Sequence, residues 1–119
     1  MNKIVFFLLL LVTNILQAQP AAIKGETNYS LWINLPEKEI LDNKPPVLIF
    51  LHGKSISGND INRVKRYGVL RAIEKGRNIP AIVVAPQLPS GSWDPDKVNE
   101  VLEYVQKNGV GAVEVSKDV

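Results

Sequence analysis

The chain has 119 residues, a formal net charge of +2 and no cysteine. That length allows one small domain, and the absence of cysteine excludes a disulfide framework, a thiolate metal site, a cysteine nucleophile and lipid attachment at cysteine. A charge so close to neutral gives no footprint for a nucleic-acid partner.

Asn2 and Lys3 precede a continuous apolar run from Ile4 to Val12, and Gln17-Ala18-Gln19-Pro20 has the character of a cleavage region. This is the layout of a secretory signal peptide over residues 1–18, which predicts export to the periplasm or beyond and a mature chain of 19–119. The run is short against the ~20 apolar residues a spanning helix needs. An uncleaved anchor is the alternative, because Leu16 is large for the position three before a cut at Ala18. Removing Lys3 with the leader leaves thirteen of the fourteen basic side chains against twelve acidic ones. No stable membrane span is expected after cleavage, and a secreted domain without disulfides must be held by its core alone.

In the mature chain, Tyr29 to Leu35 alternates large apolar residues with smaller or polar ones, apart from Trp32. That pattern predicts a strand with one face buried, antiparallel and near a sheet edge. Pro36 closes it, and Glu37 to Pro46 reads as a charged loop. Val47-Leu48-Ile49-Phe50-Leu51 is a run of five apolar residues, expected to form a strand buried on both faces of a parallel sheet. It stops at His52-Gly53, where glycine lets the backbone come close to a ligand.

Gly53 to Asp60 reads as loop. Ile61 to Lys75 is expected to be helical, with Ile61, Val64, Leu70 and Ile73 inward, a break at Gly68 and a C-terminal cap at Gly76. Ala81 to Ala85 is a second apolar strand, stopped by Pro86. Pro95 to Asn108 carries the clearest helix signals: Asp94 as N-cap, Pro95 at the first helical position and Asp96 at the positive end of the dipole. Val98, Val101, Leu102 and Val105 give it one apolar stripe. A weak strand at Ala112 to Val115 is one reading of the tail, a frayed end the other.

The order of strand, helix, strand, helix after the edge strand predicts an α/β fold with a parallel sheet. Ligands in such sheets bind beyond the carboxyl ends of the strands, where His52-Gly53 and Pro86-Gln87 both lie. The loop carrying Trp93 leaves from the same side.

With these pieces in order, the stretch from about Tyr29 to Lys107 resembles the N-terminal part of secreted bacterial α/β-hydrolases of the esterase, or dienelactone-hydrolase-like, group. The matching residues are Leu31 to Pro36, Pro46 to Gly53 with Gly58-Asn59-Asp60 behind it, Ala81 to Gln87, Trp93, and the helix beginning at Asp94-Pro95. The resemblance implies a partial α/β-hydrolase sheet of about three strands and two helices, truncated before the nucleophile elbow. It also implies a small-molecule ester substrate and no cofactor. Backbone N–H groups of Gly53 and Lys54 would face the developing oxyanion, one such donor being worth roughly 2.7–4 kcal/mol in the transition state. His52 would support the loop, and Trp93 and Gln87 would line the pocket.

The chain itself lacks the catalytic constellation. None of its six serines sits in a Gly-x-Ser-x-Gly turn. His52 is the only histidine; Ser55, Ser57 and Asp60 are near it in sequence, but local proximity in a loop is not a triad, and one histidine without clustered carboxylates is not a metal site. Gly53-Lys54-Ser55 is not a P-loop, since the glycine that motif needs falls at Leu48. Arg63, Lys65, Arg66, Arg71, Lys75 and Arg77 read as a solvated helix face, with an anionic ligand or membrane surface as the sharper alternative. Asn28-Tyr29-Ser30 matches a glycosylation sequon, a pattern common by chance. The chain therefore reads as the N-terminal, oxyanion-hole portion of a secreted serine hydrolase, inactive alone, or as a non-catalytic secreted binding module built on the same half-sheet. In either case the uncharged strand Val47 to Leu51 would expose an edge suited to self-association.

Overall fold

The computed structural model describes residues 20–108. The expected leader at 1–18 and the tail from Gly109, with its possible strand at 112–115, lie outside the described residues. Four strands, β1 (Ala21–Ile23), β2 (Leu31–Asn34), β3 (Val47–Ile49) and β4 (Ile82–Pro86), form one mixed sheet in the order β1-β2-β4-β3. The helices are α1 (Lys38–Asp42), α2 (Gly68–Glu74) and α3 (Pro95–Asn108), with 3-10 segments at Lys54–Ile56 and Ile61–Arg66. The α/β class stands, with four strands among the described residues where about three were expected.

The sheet alternation sorts the core into two layers. Leu31, Ile33 and Val84 face one side and meet Val101 and Val105 of α3, with Val98 and Tyr104 packed beside them. Trp32, Val83 and Ala85 face the other and meet Ile61, Val64 and Leu70. Burying each such aliphatic side chain stabilises the fold by about 1.5–3 kcal/mol.

Trp32, the residue that broke the alternation, marks the first correction. β2 was expected at an edge with one buried face, but all four of its residues are buried and it pairs antiparallel with β1 on one side and β4 on the other. Trp32 fills the second face, where its indole N–H donates to Ile61 O at 2.8 Å and Lys65 Nζ lies 4.0 Å from the ring centroid. The reverse correction applies to β3, which was expected to be buried on both faces. Among the described residues it pairs with β4 alone, in parallel, ends at Ile49 and leaves Leu48 43% exposed. Glu37 to Pro46, expected as loop, contains the five-residue α1.

The connection between the parallel strands breaks at Gly68, as its sequence predicts. The 3-10 segment ends at Arg66, Tyr67 is extended, and α2 begins at Gly68. Two things require glycine there: φ is +68°, and a Cβ would collide with the Phe50 ring. Gly76 closes α2 in a Schellman turn, with φ +97°, its N–H on Ile73 O at 2.9 Å and Arg77 N–H on Ala72 O at 3.0 Å. Helix α3 starts where expected: Asp94 Oδ1 accepts from Asp96 N–H at 2.9 Å, which satisfies one of the orphan donors of the first turn.

Candidate functional site at the carboxyl ends of β3 and β4

β3 and β4 run parallel, so their carboxyl ends open on the same rim of the sheet. His52 follows β3 and is 3% exposed. Both its ring nitrogens are engaged: Nδ1 lies 2.8 Å from Gly53 O, and Nε2 accepts from Leu88 N–H at 3.0 Å. An acceptor at Nε2 places the proton on Nδ1, which then donates to Gly53 O. The imidazole ties the end of β3 to the residues following β4, and no serine hydroxyl or carboxylate hydrogen-bonds to it among the described residues. His52 occupies a loop-supporting position.

Trp93 closes over this rim. Its indole N–H donates to His52 O at 3.1 Å, and its ring sits edge-on between those of His52, 5.0 Å away, and Tyr29, 5.2 Å away. Such edge contacts add about 0.5–1.5 kcal/mol beyond area burial. Tyr29 Oη in turn accepts from Asp94 N–H at 3.0 Å. Gln87 is 3% exposed; its amide donates to Asp60 O at 2.7 Å, and its backbone N–H donates to Ser30 O at 2.8 Å. The Gln87 side chain thereby fastens the 58–60 loop to the sheet end.

Gly53 and Lys54 are exposed, and neither backbone N–H donates to another group of the described chain. Gly53 has an ordinary extended backbone, φ −80° and ψ 173°, and a Cβ there would meet nothing within 4 Å. Its value is open space above the turn. The structure thus brings His52, Gly53, Lys54 and Trp93 together, with Gln87 behind them.

Sequence reasoning gave no site role to Tyr29 or Leu88, and it named Arg63 only as one charge of a basic segment. Arg63 binds Ser57 O through Nη1 and Ser55 O through Nη2, each at 3.0 Å, and Gly58 N–H donates to Leu88 O at 3.1 Å. Guanidinium-to-carbonyl bonds leave no sequence spacing to find them by. A shallow depression of about 390 Å³ lies away from this rim, between Glu26, Thr27 and the last turns of α3 at Glu103 and Lys107. There burial, and then the Glu26 carboxylate, push the Tyr104 phenol above its ordinary value. Among the described residues no group of three or more His, Cys, Asp or Glu could hold a metal ion, and no helix is long and apolar enough to cross a membrane.

No protein-family model matches the chain, and no curated protein matches it significantly.

Proposed function

We propose that this chain is the N-terminal portion of an exported serine hydrolase of the α/β type acting on carboxylic esters. Its contribution is the oxyanion-hole turn, and the nucleophile, acid and triad histidine come from residues outside it. The observation that carries this reading is the exposed Gly53-Lys54 turn. It stands at the carboxyl end of a strand parallel to its neighbour, with two N–H groups that have no partner among the described residues and open space where a Gly53 Cβ would lie.

His52 and Trp93 support the reading by holding the turn from beneath, since preorganised donors stabilise developing charge without reorganising during the reaction. The edge of β3 that has no partner among the described residues lies where the resemblance puts the strand that leads to the nucleophile. The second reading, a non-catalytic binding module, draws on the same edge and on His52, to which no serine hydroxyl or carboxylate hydrogen-bonds among the described residues.

Two measurements separate them. A Gly-x-Ser-x-Gly turn encoded within a few dozen codons after Val119, in any frame, is the expected result, and its absence favours the binding module. In an active protein containing that turn, Lys54→Pro removes the backbone donor at a first helical position, which tolerates proline. It should lower kcat by about 10²–10³, whereas Lys54→Ala, which keeps the N–H, should leave kcat near its starting value. Equal effects of the two variants would remove the backbone from the mechanism. The present chain alone should hydrolyse a chromogenic acyl ester no faster than buffer. Saturable turnover abolished by a serine-directed phosphonate would overturn the assignment of the nucleophile to other residues.

A further inference from the structure

A pocket of about 100 Å³ opens beside the turn, lined by Ser55, Ile56, Arg63, Arg66 and Tyr67. Ile56 is 6% exposed and gives it an apolar wall. The Arg63 guanidinium is fixed by its bonds to Ser57 O and Ser55 O, which use two of its five N–H donors. Gly58 lies against it: φ is +148°, and a Cβ would meet Arg63 Nη1 at 3.1 Å. A half-buried arginine is therefore set in one orientation before any ligand arrives.

Among the described residues no carboxylate neutralises its charge. Among the described residues the ion pair present is Lys65–Glu74, at 3.8 Å, and neither Arg63 nor Arg66 takes part in it. Asp60, three residues before Arg63, accepts from Asn62 N–H at 3.1 Å instead. Arg66 makes no side-chain hydrogen bond among the described residues, and Tyr67 is 61% exposed. Two guanidinium groups and a phenol thus line one small cavity with N–H donors to spare, and among the described residues no carboxylate pairs with either arginine.

We propose that this pocket binds the oxyanion group of a small ligand, a carboxylate or a phosphate. Arg63 and Arg66 grip it in the planar, paired fashion that guanidinium groups use for such ions, and Tyr67 donates from the rim. The volume suits the anionic group alone, leaving the body of the ligand outside. Ser55 belongs both to this pocket and to the 3-10 segment opened by Lys54, so an anion held here lies beside that turn. The assignment does not depend on hydrolysis and stands or falls by binding alone.

The test uses the full chain in low-salt buffer, titrated separately with inorganic phosphate, succinate and chloride at matched ionic strength. Backbone and arginine side-chain N–H signals are followed by two-dimensional NMR. Saturable shifts centred on Ser55, Ile56, Arg63, Arg66 and Tyr67 are expected with phosphate or succinate but not with chloride; the tighter of the two sets the ligand class. Arg66→Gln, at an exposed position, should weaken binding by about tenfold, the loss of one charge-assisted hydrogen bond. Arg66→Lys should fall between the two, retaining charge without the fork. Shifts that follow ionic strength alone, shifts centred elsewhere, or undiminished affinity in both Arg66 variants would overturn the proposal.

Discussion

β3 and β4 come from sequence segments that are hard to tell apart. Val47 to Leu51 and Ala81 to Ala85 are both uninterrupted apolar runs preceded by proline, and they lie side by side in parallel. Yet Val83, Val84 and Ala85 are wholly buried, whereas Leu48 and Leu51 are 43% and 41% exposed. The difference is one of neighbours. β4 has a strand on each edge and a covered surface on each face. Among the described residues, β3 has one neighbouring strand, and one of its faces is partly open. An apolar run specifies that a strand forms; what surrounds the strand decides how much each residue of it contributes.

β3 is nevertheless firmly placed, because its anchor lies past its last paired residue. Phe50 N–H donates to Val84 O at 2.9 Å, the Phe50 ring presses on Gly68, and His52 is bonded on both ring nitrogens. The largest expected effect in the molecule attacks this anchor. Gly68→Ala places an L side chain at positive φ and drives it into Phe50, costing about 2–5 kcal/mol from the combined backbone and overpacking penalties. Urea unfolding followed by far-ultraviolet circular dichroism measures it. Adding Phe50→Leu should recover part of that loss, since the two residues share one space. A strictly additive double variant would mean that the ring is not what Gly68 accommodates.

The strands themselves supply the next contrast. Val84→Ala removes two carbons from a fully buried position between Ile33 and Ile49 and should cost about 2–3 kcal/mol. Leu48→Ala removes more carbon but from a half-exposed site, and should cost under about 1 kcal/mol. Equal losses in the two variants would show that the open face of β3 is covered in solution, for instance by a second copy of the chain, and would erase the contrast.

Local signals were the legible part of this sequence. Helix α3 is announced by Asp94 and Pro95 and begins there because capping involves residues within one turn of each other. Gly68 and Gly76 are legible for the same reason: each meets a backbone need that glycine satisfies. β1 was not legible. Ala21-Ala22-Ile23 has no alternation to read, and it becomes a strand because β2 offers it a free edge. The same pairing moves β2 from the edge to the interior, which Trp32 hinted at by being large on the face expected to be open.

At the candidate site, His52-Gly53 and Trp93 could be placed at the same end of the sheet from strand ends alone. The bonds that lock them together could not, because they join residues far apart in sequence. Tyr29 reaches Asp94 across 65 positions, and His52 reaches Leu88 across 36. Arg63 was legible as a charge and illegible as a clamp, since its partners are carbonyl groups that every residue carries.

A last effect, small like that of Leu48→Ala, distinguishes a turn held by its surroundings from a turn held by its own backbone. Trp93→Phe keeps an aromatic ring between Tyr29 and His52 but deletes the donor to His52 O. One lost hydrogen bond with partial retention of packing should cost about 1 kcal/mol, visible as a lower urea midpoint with an unchanged slope. If Trp93 positions His52, a second signal must accompany the first. The Leu88 N–H, which donates to the His52 ring, should exchange with solvent faster in the variant, while amides within α2 change no more than the global loss requires. A lower midpoint with Leu88 exchange raised only by that global amount would assign Trp93 to packing, and the turn at Gly53 would then owe its shape to β3 and the 54–57 segment. Faster local exchange at Leu88 would instead make Trp93 the far end of one continuous support, running from the α3 cap through Tyr29, Trp93 and His52 to the exposed N–H groups.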